Sequence, residues 1–234
     1  MMMTVVVVLV VSGALLLGAL WGIYGKLPRI LEGFLIALAG GALIYSLISE
    51  LIEPSIVQSS LGTAMIAVAV GAIAFTALDY WVDEKWGSDN GGGLLAAITL
   101  DGIPENLALG VALIGAGAPE VAALAGSIFL SNLPEAAGGA KEMSEGGRSK
   151  KKIFLLWAAT AALLSAAAII GNVALAGVPD HVLAIIRCLA AGAVVASLAT
   201  EVFPKAYQED HHLSGIATVL GLVLAYLLGS IAGG

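Results

Sequence analysis

The sequence predicts an all-α polytopic membrane protein of eight transmembrane helices, and three observations carry that expectation. Hydrophobic residues make up 59% of the 234-residue chain and charged residues only 12%, about half the charged share of a soluble domain. Eight runs of about 20 mostly apolar residues can be marked off, each long enough to span a bilayer. The basic residues gather in alternate loops between those runs, as the positive-inside rule requires.

The runs lie at 4–24, 31–53, 59–81, 93–116, 119–141, 153–177, 181–206 and 213–232. The first, in MMMTVVVVLVVSGALLLGALWGIYG, lacks a basic leading segment and outruns the apolar part of a signal peptide, so it reads as a membrane helix. Gly, Pro and charge clusters separate the others. DEKWGSDNGGG (83–93) is a polar loop, RSKKK (148–152) a basic one, and YQEDHH (207–212) a mixed one. None of the runs alternates apolar and polar residues as barrel strands must. Nearly the whole chain is spanning segment or short loop, so residues 1–234 form one membrane domain.

The other compositional features are bland. Net charge is −7, with several acids inside apolar runs, and nothing favours nucleic acid. Cys188 is the one cysteine, which excludes an intrachain disulfide and reads as a small buried hydrophobe. His181, His211 and His212 fall in loops.

Orientation follows from the ten basic residues. All but Arg187 lie in or beside the loops after helices 1, 3, 5 and 7. That side is expected to be cytoplasmic, with both termini outside, in the cell's inner (plasma) membrane.

Two internal matches suggest a repeat. GGALIYSLISELIEP (40–54) and AGAVVASLATEVFP (191–204) align at an offset of 151, pairing Gly41 with Gly192, Ser46 with Ser197 and Glu50 with Glu201. DGIPENLALG (101–110) and SNLPEAAGGA (131–140) align at an offset of 30, pairing Pro104 with Pro134 and Glu105 with Glu135. In the topology above each pair is antiparallel, the mark of an inverted repeat. The expected plan is three helices, a central pair, then three more.

The central pair carries the chemistry. Asp101 and Glu105 share a face of helix 4, as do Ser131 and Glu135 on helix 5, with Asn132 beside them. A charged group at mid-bilayer is costly, so clustered carboxylates imply protonation or a bound cation. Pro104 and Pro134 should break their helices, freeing the carbonyls of Leu100 and Leu130 as further oxygen ligands. A lone proline is ordinarily a kink, and a lone acid a structural residue; two matched Pro-Glu pairs favour a cation site. Glu50 and Glu201 stand as stations at the two mouths of one path, with Ser46, Asn106 and Ser197 along it. The competing reading of both glutamates is a helix end reaching headgroup water.

DGIPEN and SNLPEA resemble the ZIP family of divalent-metal transporters, whose fourth helix carries a His-Asn-x-Pro-Glu type motif and whose fifth carries a similar one. The shared GxxxxSxxxE of helices 2 and 7, and WAATAALLSAAAIIG in helix 6, extend the resemblance over nearly the whole chain. It implies alternating-access transport of a divalent metal such as Zn, Fe, Mn or Cd toward the cytoplasm. It further implies that Glu105 and Glu135 are metal ligands and that Asn132 stands at a position that often ligates. Asp101 stands where the family usually has His, Gly102 where it often has Asn, and Ser131 where it has a His or Gln type ligand. Ser165 takes a position that is Glu in some bacterial members.

A site of carboxylate, amide and hydroxyl oxygens suits harder ions than one with imidazole. The expected metal ligands are therefore Asp101, Glu105, Ser131, Asn132 and Glu135, with a selectivity broader or harder than a zinc carrier's. No cofactor is expected beyond the transported metal, and no enzyme activity: LDY and LDG fail the contexts of an intramembrane aspartyl protease, and no Ser-His pair stands out. The alternatives are a similar fold carrying protons or Na⁺, and a metal-binding sensor that does not transport. The partners are a divalent cation and the lipid bilayer. A homodimer is compatible with the apolar exterior, though no face singles itself out.

Overall fold

The computed structural model describes residues 2–86, 91–114 and 121–232, with the backbone alone at 2–3, 83, 85–86, 91–98, 100–101 and 231–232. Eight long helices occur among them. They are α1 (Met2–Tyr24), α2 (Arg29–Gln58), α3 (Leu61–Trp86), α4 (Gly91–Ala112), α5 (Ala122–Glu145), α6 (Lys150–Leu175), α7 (Asp180–Glu209) and α8 (Ser214–Ala232). No strand occurs among the described residues. By length and apolarity α1, α2, α3, α6 and α7 can each cross a membrane. Large apolar side chains such as Ile66 and Ile73 on α3 and Val219 and Leu227 on α8 lie exposed, which suits a lipid-facing surface. The chain has the build of a membrane protein.

The eight expected helices are present with shifted ends. Among the larger differences, α2 runs on to Gln58 instead of stopping at 53, α3 to Trp86 instead of 81, and α5 to Glu145 instead of 141. The extension of α2 has a specific cause. After a regular α-helical part (Arg29–Ser46) the chain turns π-helical over Leu47–Ile52 and returns to α over Glu53–Gln58. Pro54 has no N–H, and its ring would strike the carbonyl four residues back. Slipping the ladder by one residue relieves both problems: the Glu53 N–H bonds Ile48 O, five residues back. α7 does the same before Pro204, π-helical over Leu198–Val202, with the Phe203 N–H on Leu198 O.

The expected breaks at Pro104 and Pro134 are not found. Both prolines lie inside uninterrupted α-helix, and the changes of helix type sit at Pro54 and Pro204 instead. A single proline costs an α-helix one hydrogen bond and a local bend, and the ladder on either side continues.

Packing is set by glycine. A Cβ at Gly41 of α2 would collide with the Thr218 carbonyl of α8, and one at Gly221 of α8 with the Leu38 carbonyl of α2. The same reciprocal pair joins α3 to α7, with Gly71 against Leu189 O and Gly192 against Val68 O. Backbones this close have no room for a side chain, the usual solution where helices associate in lipid. At the end of α5 the glycine requirement is conformational. Gly147 has φ 83°, and its N–H bonds Ser144 O while that of Arg148 bonds Met143 O. This Schellman turn satisfies the last carbonyls of α5 before α6 begins.

Side chains from α2, α4, α5 and α7 meet in the largest apolar cluster, which includes Leu43, Leu47, Leu109, Leu124, Ile128 and Leu198. The candidate site lies against it. Polar contacts fix the relative directions of two of these helices. Along α2 and α5, Glu50 meets Leu124, Ser46 meets Ser127 and Glu32 meets Lys141. Numbers fall on one helix as they rise on the other, so the two are antiparallel.

Gly41→Ala is expected to lower the thermal unfolding midpoint in detergent, because overpacking against backbone costs about 1–3 kcal/mol. Gly13→Ala, where the added Cβ meets nothing within 4 Å, should leave the midpoint unchanged or raise it through helix propensity.

Candidate functional site

The central residues converge. Glu105 and the Gly102 backbone from α4, Ser131, Asn132 and Glu135 from α5, and Ser197 from α7 line a single cavity, closed by Leu43, Leu164, Val194, Leu198 and Val202. Its volume is about 30 Å³, room for one water-sized species. Glu105, Ser131, Asn132 and Ser197 are all at least nine-tenths buried. Glu135 is half-buried.

The helical repeat explains the convergence. Ser131 and Glu135 are one turn apart with Asn132 between them, so one face of α5 presents a hydroxyl, an amide and a carboxylate. Asn132 donates through Nδ2 to Val11 O of α1 at 3.4 Å. That contact holds the amide and leaves its carbonyl oxygen as the end able to take a cation. Gly102 has a packing reason as well: a Cβ there would sit 2.5 Å from Leu164 Cδ1. Leu164 is 1% exposed, so it has little space to yield.

Asp101 belongs to α4, but its side chain lies outside the described residues. Among the described residues no three His, Cys, Asp or Glu side chains come together as a metal-binding group. The cavity instead combines two carboxylates with an amide, two hydroxyls and backbone.

Other expected pathway residues have partners elsewhere. Ser46 shares a hydrogen bond of 3.0 Å with Ser127 on α5. Asn106, 1% exposed, donates to the Gly102 carbonyl at 2.9 Å. Ser165 pairs with Ser12 of α1 at 2.6 Å. None of these three lines the cavity. Glu50 and Glu201 also stand outside its lining, one on each π-helical segment. The Glu50 Oε1 accepts the Leu124 N–H at 2.9 Å, and its buried Oε2 has no hydrogen-bond partner among the described residues.

Two polar links were missed from the sequence. Lys141 pairs with the buried Glu32 at 3.8 Å and donates to Leu27 O at 3.2 Å. It thereby joins the end of α5 to the start of α2, rather than serving Glu135. Arg187, 8% exposed, donates to Gln58 Oε1 at 3.2 Å and to Val111 O at 3.3 Å. It ties α7 to the last turn of α4, whose carbonyls lack partners in their own helix. Its separation from the other nine basic residues was the available signal.

No protein-family model matches the chain, and none of the curated proteins matches it.

The contact of Gly102 with Leu164 makes a sharp expectation. Gly102→Ala should lower the unfolding midpoint in the native chain. In a Leu164→Ala background, where the obstructing methyl groups are gone, the same change should be neutral or stabilising. Additive effects in this double-mutant cycle would show that the two side chains do not meet.

Proposed function

We propose that the chain is a transporter of a divalent metal cation, working by alternating access through the cavity between α4 and α5. The observation that carries this reading is the convergence of the buried Glu105 and the half-buried Glu135 with Ser131 and Asn132 around one ion-sized space, inside helices of membrane character. Burying carboxylates is costly without a proton or a cation to offset it. The oxygen donors present can replace part of an ion's water shell, with Asp101 one turn away on α4 as a further candidate ligand. Direction toward the cytoplasm follows from the basic loops and from the resemblance to ZIP transporters.

A three-two-three inverted repeat fits the same reading. Its supports are the offset of 151 between the glutamates, the matching π-helical segments before Pro54 and Pro204, and the matching glycine contacts of α2 with α8 and α3 with α7. In such an architecture two related halves exchange roles about a shared site. Glu50 and Glu201 would then occupy equivalent places outside the cavity.

The test is uptake of Mn²⁺, Fe²⁺, Zn²⁺, Cd²⁺ and Mg²⁺ into proteoliposomes. Native protein should take up at least one of the transition ions. Glu105→Ala should reduce that uptake at least about tenfold, the equivalent of about 1.4 kcal/mol, while the protein stays folded. No uptake of any ion by folded native protein would remove the metal-transport reading and leave a proton or Na⁺ carrier, or a sensor, to be tested.

Selectivity provides a second check. The cavity offers oxygen donors, so Mn²⁺ or Fe²⁺ should compete with Zn²⁺. Ser131→His adds an imidazole beside Glu135 and should shift preference toward Zn²⁺. An unchanged ratio of Zn²⁺ to Mn²⁺ uptake would place Ser131 outside the ion's coordination shell.

A further inference from the structure

Among the described residues, helix α5 begins without a cap from its own segment. Val121 occupies the N-cap position, and no side-chain capping bond is made there. The first N–H groups of a helix have no partner within it and are ordinarily met by a Ser, Thr, Asp or Asn at the N-cap. Here the N–H of Leu124, in the third helical position, is met from another helix altogether. The donor reaches Glu50 Oε1 on α2 at 2.9 Å.

We infer that Glu50 is a positioning residue: it caps the start of α5 from across the bundle and fixes the height of Ser131, Asn132 and Glu135 in the cavity. Three observations beyond the bond itself support this. Leu124 is fully buried, so water does not replace the contact. Glu50 sits inside the π-helical segment Leu47–Ile52, whose wider turn gives its side chain a different direction from that of a regular α-helix. The seam continues from there, with Ser46 on Ser127 one turn along and Glu32 on Lys141 at the far end. Ser131 lies seven residues after Leu124, about 10 Å along the helix axis, between these fixed points. A slip of α5 against α2 would move the cavity's donors by the same amount.

A capping role and a cargo role make opposite demands on this side chain. A cap needs an acceptor oxygen at the right reach, and charge is secondary. A station on a cation path needs charge, and reach is secondary. Glu50→Gln keeps the acceptor and removes the charge. Glu50→Asp keeps the charge and withdraws the oxygens by about 1.5 Å, beyond hydrogen-bond range of Leu124.

The experiment measures amide hydrogen exchange over 122–126 and proteoliposome uptake of Mn²⁺ and Zn²⁺ for the native chain and both variants. Uptake rests on the transport reading above, whereas amide exchange does not, so the two can fail separately. For a cap, Glu50→Asp should speed exchange at the start of α5 by about tenfold and depress uptake. Glu50→Gln should keep both within about twofold of native. The reverse pattern in uptake, with exchange unchanged in both variants, would overturn the proposal and make Glu50 a charge on the path. Should no metal be taken up even by native protein, unchanged exchange in folded Glu50→Asp would still overturn it.

Discussion

A carbonyl or amide inside a bilayer has no water to turn to, and leaving one unpaired costs several kcal/mol. Much of the geometry of this chain follows from that constraint. α2 and α7 meet their prolines by slipping into π-helix, so that the N–H after the slip finds a carbonyl five residues back. α5 ends on a glycine turn that pairs its last carbonyls. It starts under a carboxylate supplied by α2. Ser55, Ser127 and Ser165 turn their hydroxyls onto carbonyls of their own helices. Arg187 reaches the final turn of α4.

The same constraint separates two kinds of helix contact. Where backbones meet through glycine, as between α2 and α8 or α3 and α7, nothing polar is exposed and packing alone holds the pair. Where α2 faces α5, the contact is a line of polar bonds from Glu50 to Glu32 with the cavity's donors on α5 between its ends. The cavity lies beside this polar seam. Ser131, Asn132 and Glu135 thus come from a helix whose register against α2 is set by direction-specific bonds.

Much of this was legible in the sequence, for identifiable reasons. Helix number follows from apolar runs, which the bilayer requires in fixed length. The meeting of Glu105, Ser131, Asn132 and Glu135 follows from spacing, since residues one turn apart share a face whatever surrounds them. What was not legible depended on how particular groups find their partners in the folded chain. Pro104 and Pro134 looked like breaks because a proline's local cost is plain, while the capacity of the neighbouring turns to absorb it is not. The contact of Glu50 with Leu124 was not legible, because the N–H it serves belongs to a residue without a polar side chain to signal it. The bonds of Ser46 to Ser127 and of Asn106 to the Gly102 carbonyl were likewise not read from the sequence. Pro54 and Pro204 stood at the ends of the aligned strings, one residue out of step at the offset of 151, and each lies just after a π-helical turn.

The size of the cavity has a thermodynamic consequence. A space of about 30 Å³ holds an ion or a water, but not an ion with its hydration shell. Any cation entering it must surrender nearly all its waters, and the oxygens of Glu105, Ser131, Asn132 and Glu135 are what it receives in exchange. Mg²⁺ dehydrates reluctantly and demands a near-ideal octahedron, so it meets the steepest barrier. Larger divalent ions that exchange water readily meet a lower one. If the chain carries a cation as proposed, the tightness of the space, as much as the identity of its donors, would sort ions by how easily they part with water.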